Sequence, residues 1–143
     1  MNRSADRPLD LATLLHAAHA AEADVEARLA GIGLSMAKLQ ALKALSAAGE
    51  SLPLSQLAER LACVKSNITQ LVDRLEADGF VRRDADPHDR RTRLAVLTAA
   101  GRKACADGNR IQHAAERDLL TALTRDEATQ LASLLSKLRR PRG

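Results

Sequence analysis

The chain has 143 residues, enough for one domain of ordinary size, and it is 45% hydrophobic with Phe80 as its only aromatic residue. Abundant Ala and Leu with few Val, Ile and Thr favour helix over strand. No run reaches the ~18 apolar residues needed to span a bilayer, and "MNRSADRPLD" lacks the apolar core of a signal peptide, so a cytoplasmic protein without membrane contact is expected.

Two cysteines, Cys63 and Cys105, make no disulfide framework. The net charge of +4 is unevenly placed. Residues 80–103 carry seven Lys/Arg against three Asp, and residues 137–143 carry four Lys/Arg and no acid. Two basic regions on an otherwise acidic body point to a polyanionic partner.

Residues 1–8 read as a disordered lead-in. Leu11, Leu14, Leu15, Ala18, Ala21, Val25 and Leu29 follow at helical spacing, and Gly31 and Gly33 end that helix. Ser35 is an N-cap for a second helix with Leu39, Leu42 and Leu45 on one face, ending at Gly49. Pro53 stands where a third, short helix can begin, because its missing N–H would be unpaired there. Leu54, Leu57, Ala58 and Leu61 form its buried side. A tight turn at Ala62–Val64 leads to a fourth helix, with Ile68, Leu71, Val72 and Leu75 inward and Gly79 as its stop.

The period then changes. "FVRRDADPHDRRTRLAVLT" reads as strand, turn at Asp86-Pro87, and strand, with Leu94 and Val96 alternating with Arg93, Ala95 and Leu97. Thr98 is an N-cap candidate for a long helix to about Leu123. Thr124 and Glu127 form a capping box that opens a last helix carrying Ala128, Leu131, Leu134, Leu135 and Leu138.

Two short helices joined by a tight turn, followed by an Arg-rich hairpin, make a winged helix-turn-helix pattern. In such a motif the second helix enters the major groove with its N-terminal residues leading. Here it turns Lys65, Ser66, Asn67, Thr69, Gln70, Asp73 and Arg74 outward. Asn and Gln can pair bidentately with adenine, and Ser can meet several base edges. Lys65, Thr69 and Arg74 suit phosphates, which position a protein without specifying sequence. At the hairpin, Arg90, Arg91 and Arg93 are placed for a narrow minor groove, and Asp89 could hold such an Arg in one rotamer. No P-loop, GxSxG, HExxH or Cys–His arrangement is present, so no enzyme and no cofactor is expected.

The stretches "LSQLAERL", "SNITQLVDRLEADGFVRR" and "DPHDRRTRLAVLTAAGR" resemble the MarR family of bacterial transcription regulators. The last holds the family's wing pattern, Asp-x-Arg, five residues and Leu-Thr, as Asp89, Arg91, Leu97 and Thr98. The resemblance implies a mainly α fold with a small β-hairpin wing, in which a winged helix-turn-helix over about 35–98 joins dimerisation helices at about 9–30 and 99–139, all within one domain at 9–143. It implies a homodimer on a pseudo-palindromic double-stranded operator, with Ser66 and Gln70 as base readers and Arg91 as the minor-groove residue. A repressor released by an unidentified small-molecule effector is the function implied.

The chain departs from the family at Ala62, Cys63 and Val64, where Gly-Val-Ser is frequent. A tight backbone position thus loses its Gly, the turn loses its usual N-cap, and Ser66 becomes a cap one residue late. Cys63, just before a helix N-terminus that can lower a thiol's pKa, leaves a redox-responsive regulator as one alternative reading. A low-specificity DNA-organising protein on the same fold is another. Cys105, between Ala104 and Ala106, reads as a packing residue. His16 and His19 share a helical face without nearby Cys, so no metal site is assigned.

Overall fold

The computed structural model describes residues 8–62 and 65–139, and of Lys65 and Ser66 the backbone alone. The lead-in therefore lies, except for Pro8, outside the described residues, as does Cys63. Six helices and three strands follow in the order α1 (Leu11–Ala30), α2 (Met36–Ala47), β1 (Ser51–Pro53), α3 (Leu54–Arg60), α4 (Lys65–Ala77), β2 (Val81–Asp86), β3 (Asp89–Leu97), α5 (Ala99–Leu120) and α6 (Arg125–Leu138). Among the described residues no helix is long and apolar enough to cross a membrane.

The helix starts follow side-chain chemistry. Asp10, Ser35, Thr98 and Thr124 each accept a backbone N–H from three residues on, which supplies a partner for a donor that a helix end otherwise leaves open. Thr124 and Glu127 form the complete, reciprocal capping box. The two hydrogen bonds from Thr124 hold the Glu127 carboxyl below its ordinary range, the backbone one first. At α2 a second cap comes from far along the chain: the Met36 N–H donates to Glu26 Oε1 at 2.6 Å. That bond ties the end of α1 to the start of α2.

The wing is larger than a hairpin. Residues 51–53, read from sequence as the approach to a helix, form a third strand, and the sheet order is β1-β3-β2. Pro53 accordingly ends β1 and stands at the N-cap of α3 rather than inside its first turn. An edge strand tolerates Pro because the missing N–H need not face a neighbour. Leu52 and Arg83 both sit opposite Ala95, one on each side. The core-facing residues of β3 are Ala95 and Leu97, while Leu94 and Val96 are half-buried.

Leucine builds the core in place of aromatics. Leu29, Leu39, Leu42, Leu45, Leu57, Ile68, Val72, Leu75, Val81 and Leu97 are all essentially inaccessible. Helix α5 ends at Leu120, three residues short of the sequence expectation, and it packs through small residues. A Cβ at Gly101 would collide with the Phe80 carbonyl oxygen. One at Gly108 would stand 2.7 Å from Leu39 Cδ1 and 2.9 Å from Leu34 Cδ1. The Thr98 hydroxyl donates to the Gly79 carbonyl at 2.7 Å, and the Thr98 N–H donates to the Phe80 carbonyl at 3.1 Å. The start of α5 is thereby fastened to the turn between α4 and β2.

At the helix-turn-helix corner, Ala62 has φ +52°, in the left-handed region that favours Gly. The backbone requirement thus persists without the residue that meets it cheaply. Helix α4 starts at Lys65, so Ser66 is its second residue and not its cap.

Two stability outcomes follow, both read by urea unfolding. Gly101→Ala should destabilise the fold by about 3 kcal/mol, since backbone rather than a flexible side-chain end must yield. Ala62→Gly should stabilise it by about 0.5–1 kcal/mol, because relief of left-handed strain exceeds the extra freedom of the unfolded chain.

Candidate nucleic-acid interface

The amphipathic pattern of α4 fixes which side it offers. Ile68, Val72 and Leu75 are buried and Leu71 is half-buried, so Asn67, Thr69, Gln70, Asp73 and Arg74 are exposed together on the opposite side. The exposed amide, hydroxyl and guanidinium groups lie along about two turns of the helix. The side chains of Lys65 and Ser66 and all of Cys63 lie outside what the structure describes.

The hairpin stands beside this helix. Strand β2 runs to Asp86, Pro87 and His88 make the turn, and the Asp86 carboxylate accepts the His88 N–H at 2.9 Å. A register shift between Ala85 and Asp86 marks a bulge at the tip, a device that bends a ribbon and re-aims its side chains. Arg90, Arg91 and Arg93 are exposed on the returning strand, and among the described residues their guanidinium groups form no ion pair. They remain available as cations.

Asp89 acts differently from the sequence expectation. Its Oδ1 accepts the backbone N–H of Arg91 at 3.0 Å, and its Oδ2 accepts the Thr92 hydroxyl at 3.0 Å. It therefore shapes the wing's backbone, and among the described residues the Arg91 guanidinium forms no ion pair with it or with another acid.

Between α4 and the wing lies a groove of about 320 Å³ lined by Leu54, Ser55, Ile68, Thr69, Arg91, Thr92 and Arg93. Its walls combine hydroxyls and two guanidiniums over an apolar floor. Cations and hydroxyls beside apolar carbon are a lining that suits a phosphate and its sugar.

One residue of this region was not singled out in the sequence. Arg83, on β2, reaches across to α4: Nη2 lies 2.6 Å from Asp73 Oδ1, Nη1 lies 3.1 Å from Glu76 Oε1, and Nη2 also donates to the Thr69 carbonyl at 3.3 Å. The pattern "VRRD" offers two adjacent arginines, and strand alternation alone sends them to opposite faces. Which one meets the acids of α4 depends on the sheet's placement.

Cys105 is buried, and burial pushes its thiol above the ordinary cysteine range, with Lys43 opposing weakly. Among the described residues no group of three or more His, Cys, Asp or Glu is placed to hold a metal ion. His16 and His19 are exposed, and His113 pairs with Glu116.

The MarR family model matches residues 34–92, which run from α2 into the first part of β3. The HTH-type transcriptional regulator YcgE of Bacillus subtilis is 30% identical over 112 residues, covering 78% of this chain and 72% of that protein. The chain belongs to the MarR family. A second Bacillus subtilis HTH-type regulator, YkoM, is 36% identical over 84 residues, and that match spans only about half of YkoM (54%). A cysteine-to-serine mutant of E. coli MarR, crystallised with operator DNA, superposes on this MarR-family chain with a TM-score of 0.79 at 25% identity, covering 91% and 94% of the two chains. That likeness extends the family relation beyond the wing, to the terminal helices.

Thiol chemistry tests the burial of Cys105. In native protein it should react with a thiol reagent far more slowly at pH 8 than after unfolding in urea, because a raised pKa and burial both suppress the accessible thiolate. A Cys63→Ser background isolates the signal. Equal rates in the folded and unfolded states would show that Cys105 is open.

Proposed function

We propose that this chain is a homodimeric, sequence-specific DNA-binding regulator of transcription, acting in the cytoplasm as a repressor that a small-molecule effector releases. The observation that carries the DNA reading is the shared surface of α4 and the wing. Exposed Asn67, Thr69, Gln70 and Arg74 stand beside Arg90, Arg91 and Arg93, which form no ion pair among the described residues, with a groove of about 320 Å³ between them. The E. coli MarR structure with operator DNA supports the same use of the fold.

On this reading α4 enters the major groove. Gln70 and Asn67 meet base edges, with Ser66 as a further base reader, while Lys65, Thr69 and Arg74 meet phosphates. Arg91 enters the minor groove, with Arg90 and Arg93 on the flanking backbone and Asp89 setting the wing's shape.

The dimer reading rests on apolar surface that a single copy leaves open. Helix α6 has no buried residue, and Leu119, Leu134 and Leu138 are each 57% exposed. Leu11 and Leu15 on α1 are exposed as well. Exposed apolar side chains in this number call for a partner, and a second copy of α1, α5 and α6 is the cover that a two-fold assembly would supply. The winged lobe at about 35–98 and the dimerisation helices at about 9–30 and 99–139 thus form one functional unit, and two such units place their α4 helices on half-sites about one helical turn apart, ~10 bp.

Selection from a random duplex pool, followed by footprinting, tests the core of the proposal. The expected outcome is one protected pseudo-palindrome; uniform coating of DNA would point to an organising protein. Arg91→Ala should weaken binding to the selected duplex at least tenfold and lower the salt slope by about one. Affinity unchanged across salt would remove Arg91 from the interface. Leu134→Glu with Leu138→Glu should turn the dimer into a monomer in analytical ultracentrifugation, with the winged lobe still folded by circular dichroism. A persistent dimer would place the interface elsewhere.

A further inference from the structure

Helix α4 carries an electrostatic problem. Asp73 and Glu76 are carboxylates on or beside the face proposed to meet a polyanion. Left free, they would repel phosphates where Arg74 and the wing attract them.

The structure shows where that charge goes. Arg83 engages both acids at once through separate guanidinium nitrogens, 2.6 Å to Asp73 and 3.1 Å to Glu76. Its own backbone N–H donates to the other Glu76 oxygen at 3.1 Å, so Glu76 is held at both oxygens. A further bond runs to the Thr69 carbonyl. The Arg83 side chain is 22% exposed, whereas those of Asp73 and Glu76 are 59% and 44% exposed. The cation lies inside the clasp and the acids lie outside it.

This geometry has two consequences. The planar fork of a guanidinium fixes direction as well as distance, so the clasp holds β2, and with it the wing, at one angle to α4. It also removes Arg83 from the set of cations that can meet phosphate. By contrast, Arg82 pairs locally with Asp84 at 3.1 Å on the same strand and bridges no two elements among the described residues.

We propose that Arg83 is a positioning and specificity-determining residue. Through Asp73 and Glu76 it sets the spacing between reading helix and wing, and it keeps a strong cation away from the DNA backbone so that base contacts decide which duplex is bound. The inference rests on the DNA-binding reading above and deepens it.

The test compares two duplexes, one enriched by the wild-type protein from a random pool and one with the same composition scrambled, each titrated across salt. Asp73→Asn with Glu76→Gln alters only exposed side chains, and a thermal melt checks that the fold is kept. This double variant should bind the scrambled duplex at least threefold more tightly, with a salt slope steeper by about one as Arg83 becomes free. Its preference for the enriched duplex should fall about tenfold. Arg83→Met should lose about tenfold in affinity for the enriched duplex with its salt slope unchanged. A slope lower by one for Arg83→Met would make Arg83 a phosphate contact and overturn the proposal. Unchanged preference in the double variant would overturn it equally. If the wild type enriches no duplex, the regulatory reading fails, and this inference with it.

Discussion

The close approach of α5 to the rest of the chain is the constraint on which this architecture depends. Gly101 lets the first turn of α5 lie against the Phe80 carbonyl, and Gly108 lets the next turns lie against Leu34 and Leu39. A side chain at either point would lift the helix from α2 or from the α4–β2 turn. Because β3 passes through Thr98 directly into α5, that contact also fixes the base of the wing. The helix with an open apolar end and the strand with the free arginines are one continuous, anchored segment. Between the wing and α5 stands Thr98 alone, itself bonded to the α4–β2 turn.

Charge is organised by the same economy of contact. Several acids near the interface are occupied internally: Asp73 and Glu76 by Arg83, Asp78 by Lys38, Asp84 by Arg82, and Asp89 by the Arg91 backbone. Among the described residues the arginines of the returning strand form no ion pair. A modest net charge of +4 thereby becomes a locally strong positive surface. The exposed ion pairs themselves add little stability, because solvent screens them; their effect is on direction, holding one side chain and freeing another.

Much of the fold was legible because its signals are local. Ser35, Thr98 and the Thr124–Glu127 box cap helices as their side chains predict, since a cap needs only the next three residues. The inward stripe Ile68, Val72 and Leu75 followed from helical period alone, and with it the outward face of the candidate interface. β1 was missed because three residues ending in Pro carry no strand pattern; they are strand only because β3 lies beside them. That Asp89 meets the Arg91 backbone rather than a guanidinium was not legible, because its nearness to the wing arginines in sequence does not say which donor it meets. Arg83 passed unnoticed because its acids lie 7 and 10 residues away, on another element.

The sequence by itself determined the helices, the caps at Ser35, Thr98 and Thr124, the outward side of α4 and a basic wing, because periodicity and capping act within a few residues. The tertiary structure alone decided which carboxylates are neutralised and which arginines remain free. It alone showed that no residue of α6 is buried by the described residues, and that Ala62 holds a left-handed turn. Those outcomes depend on distances between elements, and such distances exist only once the leucine core has brought the elements together.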